Sequence, residues 1–170
     1  MVSARVVKIT HTVLFTLVLL ASVICLGISG ALVGHYNKEG YPPVHTGAYR
    51  DRIRITLVAS VWSTAFAIIL TIGFQLFGDN IAFGLLPHLI PVAIGFILFM
   101  IGAASLTALT NKIDCGLAGQ TFSKCGVVKG LVVISWIDTI LLLITLVFII
   151  TLCFIARGRY GVHKSTLYAD

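Results

Sequence analysis

The residues able to do chemistry in this chain are few, and one stands where lipid is expected. Asp138 lies within a long apolar run, and Ser135, Leu142 and Thr145 share a helical face with it. An ionised aspartate at the bilayer centre costs about 2.5–3.5 kcal/mol on an insertion scale, so the acid should point into a helix bundle and find a partner there. Asp138 lies seven residues beyond Leu131, about 10 Å along a helix. It starts from the side on which Arg52 and Arg54 enter the second apolar run. An Arg54–Asp138 pair, with Ser60 or Thr56 supplying hydroxyl donors, is the expected arrangement. Such an acid has two readings. One is a structural lock between helices; the other is an ion or proton site. The chain offers one acid in the membrane interior and no second carboxylate for a relay, and no Gly/Pro-broken segments occupy matching halves. The lock is therefore the favoured reading.

Two cysteines form the second constellation. Cys115 and Cys125 bracket a polar loop with Gly116 and Gly119 available for turning, and a loop of that length can close a disulfide in an oxidising compartment. Cys25 and Cys153 sit in apolar runs as small buried thiols. There is no CxxC, so thiol-exchange chemistry has little support. His35 and His45, with Tyr36, Tyr41 and Tyr49, match no metal spacing and read as surface polar residues and interfacial aromatics. His88, between Pro87 and Pro91, reads as an interfacial histidine in preference to a proton relay. No nucleophile and base can be assembled, so neither catalysis, a metal nor a cofactor is expected.

The elements that must position these residues are membrane helices. Of 170 residues, 58% are hydrophobic and 11% charged, against roughly 45–50% apolar and about 25% charged in soluble domains. The mean hydropathy is +1.05. Four apolar runs stand out, at about 13–33, 55–77, 87–109 and 131–155, predicting an all-α integral membrane protein folded as an antiparallel four-helix transmembrane bundle. A short cytosolic N-terminus (1–9) precedes the four-span unit (10–156), and a basic tail (157–170) follows it. The segment from His35 to Arg54 reads as the longest connection, because Gly40, Pro42 and Pro43 oppose regular helix. The turn at Gly78, Asp79 and Asn80 makes the second and third spans a hairpin. Pro87 and Pro91 predict a kinked or interfacial approach to the third span, regular from about Pro91.

Small residues mark the faces meant for close packing. In the first span, Thr12, Thr16, Leu20, Val23, Gly27, Ala31 and Gly34 follow steps of three and four, and Gly30 with Gly34 makes a GxxxG pair. In the second, Thr56, Ser60, Ser63, Thr64, Ala67, Thr71 and Gln75 form a stripe that should face the bundle, with Trp62 off it toward lipid or a neighbouring chain. Gly95, Gly102 and Ser105 narrow the third. The net charge of +6 is explained by basic residues that flank apolar runs and suit anionic headgroups, without a nucleic-acid partner.

Orientation receives opposing signals. The terminal side carries Arg5, Lys8, Arg157, Arg159 and Lys164, while the other carries Lys38, Arg50, Arg52, Arg54, Lys112, Lys124 and Lys129, which favours termini outside. A disulfide at Cys115 and Cys125 requires the opposite. The cysteine argument is adopted here, placing the termini in the cytosol.

Four spans, a short second turn, a polar loop bracketed by Cys115 and Cys125, and small residues within the helices together resemble the MARVEL-domain proteins, which include myelin-and-lymphocyte-type proteolipids, physins, gyrins and occludin. The resemblance covers nearly the whole chain and is one of layout and texture. It implies cytosolic termini, a place in the plasma membrane or secretory vesicles, and non-catalytic roles in membrane apposition, microdomain organisation and vesicle trafficking. The expected partners are membrane lipids and, through the small-residue faces, further copies of the chain or other membrane proteins. The basic first loop, R-D-R-I-R, departs from the family. The W…GLW…C…C pattern of claudins is missing, and nothing matches the arginine-rich catalytic helix of the four-span eicosanoid and glutathione enzymes. The runner-up is a small channel or transporter subunit with a polar site at Asp138.

Overall fold

A computed structural model describes residues 4–41, 46–77, 85–111, 115 and 124–160. Four helices account for nearly all of them: α1 (Ala4–Glu39), α2 (Thr46–Phe77), α3 (Leu85–Thr110) and α4 (Cys125–Tyr160). Each is long and apolar enough to cross a bilayer, which fits an integral membrane protein.

The helices close into a ring in chain order, with α1 on α2, α2 on α3, α3 on α4 and α4 back on α1. Each neighbour runs antiparallel. Tyr36 meets Tyr49 at one end of the α1–α2 pair, and Phe74 meets His11 at the other. On α1, the buried positions His11, Phe15, Val18, Ser22, Cys25, Ser29, Leu32 and Tyr36 alternate steps of four and three. The same rhythm runs from Tyr49 to Phe74 on α2 and from Val128 to Ile149 on α4. A seven-residue repeat keeps a core seam on one side of each helix and produces the shallow left-handed packing of four-helix bundles. Outward positions such as Val13, Leu20, Ile69, Ile97 and Leu143 are apolar and exposed, as a lipid-facing surface requires.

The helices run past the apolar runs that announce them. α1 continues to Glu39 and α2 begins at Thr46, so the expected long connection shrinks to a few residues. His35, Tyr36, Tyr49, Arg50, Asp51, Arg52 and Arg54 are all helical. The gain that extends these helices is burial: Tyr36 and Tyr49 are nearly inaccessible, with their hydroxyls 3.4 Å apart and Tyr41 stacked on Tyr36. These tyrosines are thus core, not interfacial surface. Gly40 ends α1 with φ of 86° and donates its N–H to Tyr36 O at 3.0 Å, a left-handed helix stop suited to glycine.

α3 passes through Pro91 as a continuous helix from Leu85. The Pro91 carbonyl accepts from Trp62 Nε1 at 3.0 Å, and the Trp62 ring packs on Phe66. Trp62 therefore binds α2 to α3 and does not point away from the bundle as expected. Pro42, Pro43 and His45, the turn at 78–80, the loop glycines Gly116 and Gly119, Lys112, and the tail from residue 161 lie outside the described residues.

Candidate functional site

The core has three polar levels, and the deepest holds the acid. α4 starts at Cys125, earlier than the expected Leu131, so Asp138 is 13 residues into the helix, about 20 Å at the helical rise. It lies close to the midpoint of the Cys125–Ile155 span. Ser22 is correspondingly central on α1. Asp138 is fully inaccessible, and its Oδ2 accepts a 2.7 Å hydrogen bond from Ser22 Oγ. One turn away, Cys25 Sγ and Ser135 Oγ are 3.6 Å apart. Both contacts join α1 to α4.

The expected Arg54–Asp138 pair does not form. Arg54 is exposed, and α2 and α4 face each other across the diagonal of the ring, since each packs on α1 and α3 instead. Arg54 follows the core position Ile53, which directs it outward. Arg52, on the half-buried flank, donates to Ser105 O of α3 at 2.8 Å. The expected hydroxyl donors are engaged within their own helix: Thr56 Oγ1 donates to Arg52 O and Ser60 Oγ to Thr56 O. Ser135 Oγ likewise donates to Leu131 O.

Ser22 was missed because the opposite face of α1 is richer in small residues. Its signal was present in the four-and-three register that links His11, Ser22, Cys25 and Ser29. His11 was missed too. It is inaccessible, stacks on Phe15 with ring centroids 4.3 Å apart, lies 4.0 Å from the Phe74 ring and meets His88 edge-on at 5.2 Å. His88 is itself wholly buried, not interfacial. This imidazole pair forms a second polar level at the bundle end that carries the termini. The tyrosine cluster forms the third, at the opposite end.

The five packing glycines divide into two groups. A Cβ at Gly95 would stand 3.0 Å from Ser63 Oγ, and one at Gly102 would stand 2.9 Å from Thr56 Oγ1 with the Thr56 backbone at 3.6 Å. These two allow α3 to approach α2. Gly27 and Gly34 are exposed and would meet nothing within 4 Å, while Gly30 would touch only Leu57, at 4.0 Å. Gly126 and Gly130, four residues apart on α4, are exposed and open in the same way. The narrow face of α1 therefore looks outward.

Cys115 and Cys125 are joined in a disulfide with their Cα atoms 5.7 Å apart, tying the start of α4 to the segment after α3. Cys25 is buried and free, and Cys153 is half-buried. Among the described residues, no group of three or more His, Cys, Asp or Glu side chains is arranged to hold a metal ion. The chain matches no family model, no curated protein and no solved structure.

Proposed function

We propose that this chain is a non-enzymatic four-span membrane protein that organises the surrounding bilayer by lateral self-association and lipid contact, as in membrane apposition, microdomain formation or vesicle trafficking. The observation that carries this reading is the placement of glycine. Gly95 and Gly102 are consumed by packing within the chain, whereas Gly27, Gly34, Gly126 and Gly130 stand on the outward faces of two adjacent helices, in the same half of the bundle, with no intrachain neighbour to serve. Without a hydrophobic force between helices in lipid, close backbone approach at small residues is what favours association. An outward glycine otherwise only weakens its helix.

The resemblance to MARVEL-domain proteins supports the same reading. The disulfide supports placing the cysteine loop in an oxidising compartment, with the termini cytosolic and the protein in the plasma membrane or a secretory vesicle. Cross-linking from single cysteines tests the reading. In a background with Cys25 and Cys153 replaced, a cysteine at position 27 or 34 should link two copies in the membrane, and one at the apolar outward position Val13 should not. Equal linking from all three positions would reduce the contact to random collision.

A second reading, a small channel or transporter subunit, rests on the burial of Asp138 at mid-span. Flux from liposomes containing purified protein separates the two, since a scaffold leaves the vesicles sealed.

A further inference from the structure

Among the described residues, most of the buried polar side-chain atoms without a hydrogen-bond partner lie in one half of the core. Between Asp138 and the tyrosine end, Ser29, Thr56, Ser60, Thr110 and Ser135 each donate to a carbonyl of their own helix, and the Tyr41 hydroxyl, at the far end, is the buried side-chain atom there without a partner among the described residues. Between Asp138 and the end carrying the termini, several buried polar atoms have no hydrogen-bond partner: Asp138 Oδ1, Ser63 Oγ, Thr64 Oγ1, Thr71 Oγ1 and both ring nitrogens of His11. The three α2 hydroxyls forgo the i−4 carbonyl bond that their counterparts make, which leaves them available to water. A partly open cavity of about 10 Å³ lies in this half, lined mostly by apolar side chains such as Phe15, Leu70 and Val92, with Ser63 and Thr145 as its hydroxyl-bearing residues. That is about the space one water needs.

These features follow one another along the axis. His11 and Asp138 bracket the tract, and the cavity lies between them. The side chains facing each end are few. Asp138 meets Ser22 from α1, with the Cys25 thiol one turn on and in reach of Ser135 and Ser60, while α3 brings Gly95 and Phe99 to the central levels. His11 meets Phe15 on its own helix, Phe74 from α2 and His88 from α3; α4 reaches this end with Ile149 and the half-buried Cys153.

We propose that the half of the core between His11 and Asp138 takes up water, and that this water exchanges protons between Asp138 and the compartment on the side of the termini. The reaction is the addition of one proton from that compartment to the Asp138 carboxylate, and its return by the same route. The His11–His88 pair gates the route, and the tyrosine end is closed to it. This rests on the core alone and stands apart from lateral association.

Infrared spectroscopy of the protein in oriented proteoliposomes tests it. The carboxylic C=O band absent from Asp138→Asn should respond when pH is changed on the terminal side and not when it is changed on the other. In deuterated buffer the same band should shift, tenfold or more slowly in His11→Phe, which keeps an aromatic ring and removes both nitrogens. Ser63→Val, which occupies the cavity edge and deletes one orphan hydroxyl, should slow it as well and serves if His11→Phe does not fold. Tyr36→Phe at the opposite end should leave the rate unchanged. Response only from the tyrosine side would overturn the proposal, as would a carboxyl that never titrates or exchange unaffected by either variant.

Discussion

Gly102→Ala is the perturbation that reports most directly on how α2 and α3 meet. The added methyl would stand 2.9 Å from Thr56 Oγ1, inside ordinary van der Waals contact, with the Thr56 Cα behind it at 3.6 Å. Thr56 Oγ1 is itself held by a 3.0 Å bond to Arg52 O, so turning it away gives up that bond. Overpacking of this kind costs about 1–3 kcal/mol. The better helix propensity of alanine returns about 0.5–1 kcal/mol. The expected outcome is therefore a net loss of up to about 2.5 kcal/mol. Gly27→Ala is the matched control, because its methyl meets nothing within 4 Å and only the propensity gain of about 0.5–1 kcal/mol remains. Unfolding followed by circular dichroism in detergent, at dilutions where the protein is monomeric, should move the two variants in opposite directions. Equal shifts of the same sign would refute the packing assigned to Gly102.

Other contacts carry further expected outcomes. Ser22→Ala, which deprives Asp138 Oδ2 of its donor, should lower stability by about 0.6 kcal/mol, the average for interhelical bonds in membranes, and by no more than about 1.7 kcal/mol. Arg54→Ala, at an exposed position, should stay within about 0.5 kcal/mol; the same unfolding assay ranks them, and a larger effect at Arg54 would restore the arginine as the partner. Replacing Cys115 and Cys125 together by serine opens a loop of sequence separation 10 and should cost about 2–3 kcal/mol in the chain-entropy treatment. In intact cells, an impermeant thiol reagent should label those two cysteines only after reduction, and labelling without reduction would mean the bridge is open. Trp62→Phe keeps the ring contact with Phe66 but loses the bond to Pro91 O, so it should cost about 0.5–1.5 kcal/mol, read by the same melt.

The helices were legible because hydropathy over about 20 residues is a cumulative signal, and all four runs appear as helices. Their ends were not. Polar residues around Tyr36 and Tyr49 read as loop, yet burial of the two rings outweighs the charges beside them, most of which project outward while Arg52 reaches a carbonyl of α3. The inward direction of the Asp138 face was also readable from spacing alone. Its partner was not, because pairing depends on ring order: a chain-order ring makes α2 and α4 diagonal and brings Ser22 of α1 to the acid. The α1 faces show the limit of composition. Small residues at 27, 31 and 34 suggest an inward face in a membrane bundle, but the opposite face carries the seven-residue repeat of His11, Phe15, Val18, Ser22 and Cys25 and takes the core.

What the outward glycines do is the central question, and counting copies in a bilayer answers it. Fluorescently tagged protein at low density in supported membranes should bleach in two or more steps, and Gly27→Leu with Gly34→Leu should convert it to single steps while leaving the unfolding transition in place. Single-step bleaching of the unaltered chain at every density would contradict the account.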